Sequence, residues 1–351
     1  MIRIYNDTKI YVQCTGDTVS GGAELLHQLV SYLRNHGMNA YMVYFGKNTT
    51  TIADDYKDYN IELADHIEDS PHNISILYEP CFNQALKKTS IQIILWWLSV
   101  DFFFKTNQHT LALRDLWSFN KKVALIQFFK RLAKLFVKRK NFFFNTLSIK
   151  KLINANVLSA YQSEYAQNFL QNKGFKETVP LKDYINKEHF KAIETANRED
   201  IVLYNPKKGF EFTKKLIKRA PDINWVPIIN MSRHQVIETM KKAKIYIDFG
   251  FHPGKDRLPR ECAMNGLCVI TGRRGSAAYF EDVWIENKYK FNGSISEIDK
   301  ILNTIRNTLK NYEQAITDFA FYRNQIQKEE SEFEQQVKNI FLNDSLKNNS
   351  F

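Results

Sequence analysis

Residues 248–276 hold the pattern that most restricts how this chain can fold. Over about thirty residues an apolar strand runs into a polar loop, a short helix and a second apolar strand. The charged residues fall at the junctions between strand and helix, which is where open α/β sheets bind their ligands. Buried strands have no need of charged neighbours, whereas a site for a charged, hydroxyl-rich ligand does. The stretch therefore predicts an α/β fold with a binding site.

Strands alternate with amphipathic helices along most of the sequence. One series of apolar, strand-length segments covers 9–14, 39–45, 74–78, 91–98 and 156–161, and a second covers 201–204, 225–229, 244–249 and 267–271. Such alternation indicates parallel sheets with helices on both faces. At 351 residues the chain is long for a single core. We therefore predict two doubly wound, Rossmann-like domains that face each other across a cleft, with the polar stretch 186–200 as a linker.

The first domain, at residues 1–190, contains a basic amphipathic helix near 121–140. Basic side chains lie on one helical face, and the apolar side chains Leu125, Phe128, Phe129, Leu132 and Phe136 lie on the other. This arrangement is typical of a helix that lies on an anionic membrane surface. The alternative is a core-packed helix with a solvated basic face. The second domain covers 200–312, and a C-terminal helix and tail over 313–351 follow it.

The net charge of +11 favours an anionic partner. Nucleotide phosphates, an acidic membrane surface and nucleic acid all fit the charge, but the absence of a recognisable nucleic-acid motif disfavours the last. Four scattered cysteines form neither a disulfide framework nor a zinc motif, and the N-terminus has no apolar signal core. The longest apolar run, 91–104, is too short to span a bilayer. We expect a cytoplasmic protein, bound peripherally to the inner face of the plasma membrane.

Three strand-to-helix junctions carry glycines and charged side chains of the kind that bind phosphates. The first holds Gly21 and Gly22, where the backbone can approach a ligand at a helix N-terminus. The second consists of Asn205, Lys207, Lys208 and Gly209. Two lysines and a glycine suit a diphosphate. A plain turn with a helix cap at the first junction and a solvated turn at the second are the alternatives.

The third junction is the most densely charged. Its candidate binding residues are His252, Lys255, Asp256, Arg257, Arg260 and Glu261, with Gly275 and Ser276 at the next turn. Arginine can neutralise a diphosphate, and a glutamate at a helix start can accept two hydrogen bonds from ribose hydroxyls. The Gly-Ser turn opens a further helix, whose N-terminus favours phosphate. The alternative is a surface cluster in which Asp256 pairs with Arg260 and Arg257 with Glu261, each at i,i+4 spacing.

Two aspartates are candidates for a catalytic base. Asp101 follows an apolar strand, and Asp17 lies in the loop before the Gly21–Gly22 pair. Either carboxylate could accept a proton or bind acceptor hydroxyls. Many aspartates at such positions only cap a turn or a helix.

With these motifs the chain resembles GT-B fold glycosyltransferases, of the group 1-like kind that builds bacterial capsules, O-antigens and other surface polysaccharides. The matching segments are Gly-Gly-x-Glu-Leu-Leu at 21–26, Tyr-Asn-Pro-Lys-Lys-Gly at 204–209 and His-Pro-Gly-Lys-Asp-Arg-x-Pro-Arg-Glu at 252–261. The resemblance spans nearly the whole chain. It implies a nucleotide-sugar donor held by the second domain and a glycan or lipid-linked acceptor on the first. It implies neither metal nor cofactor, since basic groups and helix dipoles stabilise the leaving diphosphate.

The resemblance also implies roles for single residues. Lys207, Lys208 and either Arg257 or Arg260 would bind the diphosphate, Glu261 would bind the ribose, and Gly275 and Ser276 would line the same pocket. Retaining, glycogen-synthase-like relatives carry a second carboxylate eight positions before that glutamate, where this chain has Pro253. The catalytic carboxylate and the stereochemical outcome therefore stay open.

Two other readings compete with a glycosyltransferase. A sugar-nucleotide epimerase can share the fold, but it would need neither an acceptor nor a membrane helix. A non-catalytic protein that binds glycans or nucleotides with a degenerate site would explain the missing carboxylate, although the dense charged loop at 252–261 argues against it.

Overall fold

The structure is a computed structural model in which the chain divides into two compact units. It describes residues 2–16, 18–46, 49–107, 149–190 and 192–342, together with the single residues 125, 126, 129 and 133. Unit 1 comprises Met1–Lys182 and Glu332–Phe351, and unit 2 comprises Asp183–Ser331. The chain therefore changes unit just before the polar stretch 186–200, and its C-terminal part groups with unit 1.

Unit 1 is built on a parallel sheet. Its strands are β1 Lys9–Thr15, β2 Asn39–Phe45, β3 Ile74–Tyr78, β4 Gln92–Trp97, β5 Leu158–Tyr161 and β6 Thr178–Pro180. They pair in the order β2-β1-β3-β4-β5-β6. The five strands predicted from the sequence are present to within about two residues, whereas β6 was missed because its three residues are only partly buried.

Helices connect these strands. They are α1 Gly21–Asn35, α2 Val100–Asn107, α3 Ile149–Asn154 and α4 Glu164–Lys173, with 3-10 helices at Asp54–Tyr56 and Glu79–Leu86. The first helix forms as its sequence predicts: the Ser20 side chain caps it by accepting a hydrogen bond from Ala23 N–H at 3.2 Å. Its apolar face, Leu25, Leu26, Leu29, Val30 and Leu33, is fully buried.

Unit 2 is likewise built on a parallel sheet connected by helices. Its strands are β7 Glu199–Tyr204, β8 Asn224–Pro227, β9 Ala243–Asp248, β10 Cys268–Gly272 and β11 Lys290–Phe291, and they form a parallel sheet in the order β11-β10-β9-β7-β8. Its helices are α5 Phe210–Arg219, α6 Arg233–Lys242, α7 Arg257–Met264, α8 Ile298–Lys310 and α9 Tyr312–Ala315. Short 3-10 helices lie at Lys187–His189, Ser276–Ala278, Asn287–Tyr289, Ile295–Glu297 and Ile316–Phe319. A long helix, α10 Ala320–Val337, begins in unit 2 and ends in the residues assigned to unit 1, where it continues as a π-helical turn at Lys338–Leu342.

Each sheet has one point at which the strand order reverses. In unit 1 the chain leaves β1 for β2 on one side and returns to β3 on the other. In unit 2 it leaves β7 for β8 and returns to β9. Ligands of open α/β sheets bind beyond the carboxyl ends of the strands at such switch points. The carboxyl ends of β7 and β9 lead into two of the loops that the sequence analysis singled out.

Some predictions fall outside the described residues. Asp17 does, and so does the basic helix near 121–140, apart from three exposed apolar side chains, Leu125, Ile126 and Phe129, and Ala133. Residues 343–351 of the tail are likewise outside. Among the helices that the structure describes, none has the length and apolar character needed to cross a membrane.

Candidate functional site

The loop between β7 and α5 is a tight turn that leads directly into the helix. The Asn205 side chain accepts a hydrogen bond from the backbone N–H of Lys207 at 2.9 Å, and its carbonyl accepts one from Lys208 at 3.2 Å. Gly209 has a φ of +61° and forms the N-cap of α5. Glycine adopts this conformation without the steric cost of a side chain, so only Gly209 separates the lysines from the first residue of the helix. The free N–H groups at the start of α5 therefore lie beside two lysines.

The loops that follow β7 and β9 touch through their glycines. A β-carbon on Gly209 would lie 2.5 Å from the backbone nitrogen of Gly250, and a β-carbon on Gly250 would lie 2.6 Å from Cβ of Lys208. Both distances are shorter than real side chains tolerate. Backbone contact between these loops therefore requires glycine on both sides of the switch point.

Four charged side chains form a largely buried cluster at the same point. Lys208 Nζ lies 2.5 Å from Asp256 Oδ2, which in turn lies 3.0 Å from His252 Nδ1. His252 Nε2 lies 3.5 Å from Asp248 Oδ1, and that oxygen also accepts the backbone N–H of Gly250 at 2.8 Å. The cluster thus joins the end of β9 to the start of α7 and to the β7–α5 loop.

The pKa values of the cluster show how its charges are held. Burial alone would lower the pKa of His252, but Asp248 and Asp256 raise it to about 9. Burial would raise the pKa of Asp256, but Lys208 and His252 lower it to about 2. The pKa of Asp248 is lowered against burial by His252, and that of Lys208 is raised against burial by Asp256. Near neutral pH, two carboxylates therefore face two cations.

Three members of the cluster have the spacing of a metal site. One ligand atom each from Asp248, His252 and Asp256 lies within 4.8 Å of the others. However, the two imidazole nitrogens face different carboxylates, and Lys208 already supplies a cation to Asp256. These donor atoms therefore lie within an ion-pair cluster, and a metal ion would have to displace the lysine and the imidazole proton.

The Gly275–Ser276 turn closes over the loop after β9. His252 forms a parallel bridge with Gly275, and its carbonyl accepts the N–H of Ser276 at 2.8 Å. The buried Ser276 hydroxyl donates to the carbonyl of Gly254 at 2.6 Å. Gly275 has a φ of +59°, and a β-carbon there would collide with the His252 carbonyl. The sequence predicts that a helix begins here, but the structure has only the 3-10 helix Ser276–Ala278. The contacts observed for the turn are to the loop after β9.

A second buried network also holds α7 and the loop before it. Arg260 donates through Nη2 to both Asp183 oxygens at 2.9 Å and through Nη1 to Glu329 Oε2 at 2.7 Å. Lys255 Nζ lies 2.8 Å from Glu329 Oε1, and Arg257 Nε lies 3.3 Å from Asp183 Oδ2. Arg260 is completely buried and Lys255 is 3% exposed. These two cations are engaged inside unit 2.

This network differs from both sequence-based expectations for the third junction. The sequence predicts that Arg260 either binds a diphosphate or pairs with the Asp256 carboxylate on the surface. Of Asp256, the Arg260 guanidinium contacts the backbone carbonyl, with Nε at 3.2 Å, and not the carboxylate. Its other hydrogen bonds are to residues outside α7. Arg257 likewise has Asp183 as a partner and is 10% exposed at its side chain.

Glu261 lies in the second turn of α7, not at its start, because the helix begins at Arg257. Its side chain is 21% exposed, and its Oε1 lies 3.9 Å from His189 Nε2. Among the predicted residues of the third junction it therefore retains an accessible carboxylate.

The other candidates belong to unit 1. Gly21 and Gly22 are the first two residues of α1, and a β-carbon on Gly22 would contact Leu98 Cδ1 at 3.7 Å. Asp101 lies in the first turn of α2 and accepts a hydrogen bond from the hydroxyl of Tyr165 at 3.3 Å. The remaining predicted donor-binding residues all belong to unit 2.

Several residues that build the site were not singled out from the sequence. Asp248 is the last residue of β9 and Gly250 lies two residues beyond it, and the rule that ligands bind at strand ends would have found both. Asp183 and Glu329 lie 77 and 69 residues from Arg260 along the chain. No local sequence pattern predicts ion pairs between residues so far apart in the chain.

Comparison with known proteins identifies the fold. No protein-family model and no curated protein sequence matches the chain. Among solved structures, sucrose-phosphate synthase from Thermosynechococcus elongatus is similar with a TM-score of 0.61 and 11% identity, covering 95% of this chain and 98% of that one. HepE from Anabaena in complex with UDP-glucose has a TM-score of 0.57 at 12% identity, with coverages of 95% and 98%. The lipopolysaccharide outer core galactosyltransferase WaaB has a TM-score of 0.57 at 10% identity, with the same coverages.

The chain therefore has the GT-B fold of two Rossmann-like units, as the resemblance in its motifs implied. At 10–12% identity this similarity is one of fold.

Proposed function

We propose that this protein is a glycosyltransferase that moves a sugar from a nucleoside diphosphate sugar to a glycan or lipid-linked acceptor in surface polysaccharide synthesis. The observation that carries the proposal is the backbone contact of Gly209 with Gly250 beside Lys208, at the switch point of unit 2. A glycine-lined helix start with adjoining lysines suits a diphosphate. HepE, which shares the fold, has been solved with UDP-glucose, and WaaB is a galactosyltransferase.

In this proposal the diphosphate lies at the start of α5. Lys207 is exposed, and the side chain of Lys208 is 32% exposed. Both ammonium groups can approach phosphate oxygens, and the carboxylate of Glu261 can accept two ribose hydroxyls. Lys255 and Arg260 take another role: they hold α7, and with it Glu261, against Asp183 and Glu329.

Transfer then follows from charge stabilisation. An acceptor hydroxyl attacks the anomeric carbon, the bond from that carbon to the diphosphate oxygen breaks, and the electron pair leaves with the diphosphate. Lys207, Lys208 and the positive end of α5 stabilise that charge, so the scheme needs no metal ion. The proton of the acceptor hydroxyl passes to a base on unit 1, for which Asp101 and Asp17 are the candidates.

We further propose that the protein binds an anionic membrane surface through the segment 121–140. That segment carries eight Lys and Arg residues and no Asp or Glu. Leu125, Ile126 and Phe129 within it are 43%, 54% and 58% exposed. Basic and exposed apolar side chains together favour interfacial binding. Co-flotation with phosphatidylglycerol vesicles, but not with phosphatidylcholine vesicles, is the expected result. Phe129→Ala should weaken it, whereas Ile295→Ala, at a 69% exposed residue of unit 2, should not.

The test of the function is ligand-induced thermal stabilisation. Nucleoside diphosphates and nucleotide sugars of each base are compared on the wild type, on Glu261→Ala and on Glu313→Ala, an exposed glutamate of the same unit. A ligand that binds only the native state raises Tm. We expect one base to stabilise the wild type and the Glu313 variant, and to stabilise the Glu261 variant less. No shift with any nucleotide would overturn the proposal.

The stabilising nucleotide sugar then distinguishes the competing activities. Release of nucleoside diphosphate that depends on an added glycan or lipid-linked acceptor supports transfer. Conversion to an isomeric nucleotide sugar without acceptor would indicate an epimerase. Binding without either reaction would indicate a non-catalytic protein.

A further inference from the structure

Glu79 is a carboxyl group buried at the switch point of unit 1. It follows β3 directly, and only 1% of it is exposed. Its Oε1 accepts the backbone N–H of Ser99 at 2.5 Å, while Oε2 is buried with no hydrogen-bond partner among the described residues. Burial raises the pKa of Glu79 to about 8, although backbone N–H groups, Ser99 first among them, act to lower it. The carboxyl therefore keeps its proton near neutral pH.

The surroundings offer this carboxyl little charge compensation. Among the described side chains of unit 1, the titratable groups on the 3-10 helix of Glu79 and on α2, α3, β3 and β4, which pack against it, are Cys81, Tyr78, Asp101, Lys150 and Lys151. The strand β1, whose Gln13 bonds to Gln84 of that helix, adds Cys14. Both lysines are exposed. Burial raises the pKa of Cys81 to about 12 and that of Tyr78 above its ordinary value, so both are neutral. Among the described side chains, none supplies a buried cation that would stabilise an ionised carboxylate here.

The bond from Glu79 to Ser99 fixes the turn that starts α2. The Ser99 hydroxyl and carbonyl both accept the N–H of Phe102, at 3.1 Å each, so Ser99 caps the helix whose first turn carries Asp101. The preceding residue, Leu98, lies under Gly22 at the start of α1. The turn at Leu98 and Ser99 thus supports both of the elements of unit 1 that carry candidate site residues.

We propose that Glu79, held as a neutral acid, is the positioning residue of the acceptor side: its carboxyl fixes the turn on which the start of α2 and Asp101 depend. In the opened turn the carboxyl meets water and ionises at its ordinary pKa, so opening releases a proton. Opening of the turn therefore becomes more favourable by about tenfold per pH unit above that ordinary pKa. The gain stops once the carboxyl also ionises in the closed form.

Two variants separate this role from simple packing. Glu79→Gln keeps the acceptor for Ser99 N–H and imitates the neutral acid, whereas Glu79→Ala removes the acceptor. Asp58→Asn, at an exposed residue of the same unit, is the control. Amide exchange of the segment 98–104 is measured in the full chain from pH 5 to pH 9.5 and corrected for the intrinsic pH dependence of exchange.

The wild type and the control should lose protection of this segment as pH rises from about 5 to 8 and then level off. Glu79→Gln should remain protected throughout, and Glu79→Ala should be unprotected even at pH 5. Identical profiles for wild type and Glu79→Gln would overturn the proposal, as would a Glu79→Ala variant that stays protected. None of these outcomes depends on sugar transfer.

The kinetic consequence rests on the proposed function. At pH 7, Glu79→Ala should raise the acceptor KM about tenfold or more with a smaller change in the donor KM, and Glu79→Gln should restore the wild-type value. Equal changes in both KM values would contradict a role on the acceptor side. Because amide exchange is measured without substrates, failure of the transferase assignment alone would leave its result intact.

Discussion

A β-carbon placed on Gly209 would lie 2.5 Å from the backbone nitrogen of Gly250, a distance that real side chains do not reach. The loops after β7 and β9 are therefore in backbone contact across the switch point of unit 2. This contact brings Lys208 within reach of Asp256, since the lysine precedes Gly209 and the aspartate follows the second loop. Close approach of two loops, made possible by two glycines, is what gathers the charges of the candidate donor site.

Gly209→Ala should destabilise unit 2 and weaken binding of the nucleoside diphosphate. A non-glycine residue at positive φ costs about 1 kcal/mol, and overpacking against backbone adds about 1–3 kcal/mol. Gly174→Ala is the matched control, because Gly174 has a φ of +85° and no heavy atom of a described residue lies within 4 Å of its β-carbon position. Denaturant unfolding should show the larger loss for Gly209→Ala. Equal losses would mean that the second loop yields and that its contact with the first is not required.

Lys207 and Lys208 should separate binding from stability. Lys207 is exposed, so Lys207→Gln should change the unfolding free energy by less than about 0.5 kcal/mol while reducing thermal stabilisation by the nucleoside diphosphate. Lys208→Gln should reduce both, because it also removes the cation that faces Asp256. Calorimetric titration together with denaturant unfolding checks both statements. If Lys207→Gln left the affinity unchanged, the diphosphate would not lie at the start of α5.

Much of the fold follows from local sequence pattern, and the site follows only in part. The apolar periodicity of the predicted strands and the Gly21–Gly22 junction concern residues close together in sequence. The density of charged residues over 252–261 also indicates a candidate site from the sequence alone. Its side chains nevertheless divide between two networks, and the partners that decide this, Asp183 and Glu329, are distant in sequence and sit in unremarkable segments. Arg260 is buried and paired with residues distant in sequence, whereas Lys207 is exposed. No local spacing in the sequence encodes this difference.

Arg260→Met should be among the most destabilising single substitutions in unit 2. It leaves the buried carboxylates of Asp183 and Glu329 without their main cation, and breaking a buried pair in this way costs about 3–5 kcal/mol. Arg306→Met is the contrasting case, because its pair with Asp222 is 46% and 62% exposed and such pairs contribute less than about 1 kcal/mol. Urea unfolding of the two variants checks the ratio. Similar losses would show that the buried network is not held by Arg260.

The protein should lose stability as the pH becomes alkaline, because His252 then loses its proton. The pKa of His252 in the folded state is about 9, above the ordinary value of 6.5, because Asp248 and Asp256 outweigh burial. A raised folded-state pKa gives stability that is fully present below 6.5 and is lost as pH rises through 9, a change of about 3 kcal/mol. His252→Gln should therefore destabilise the protein strongly at pH 6 and much less at pH 10.

The measurement is denaturant unfolding at pH 6, 8 and 10 for the wild type, for His252→Gln and for His234→Gln, an exposed histidine of the same unit. Lys290, whose pKa burial lowers to about 8, titrates in the same window but does so in all three proteins. The difference between wild type and variant therefore isolates His252. A difference that stays constant from pH 6 to pH 10 would mean that the imidazole is neutral throughout. Lys208 would then be the only cation that faces Asp248 and Asp256 in this cluster, and the cluster would carry a net negative charge where the donor diphosphate is proposed to bind, which would count against that placement.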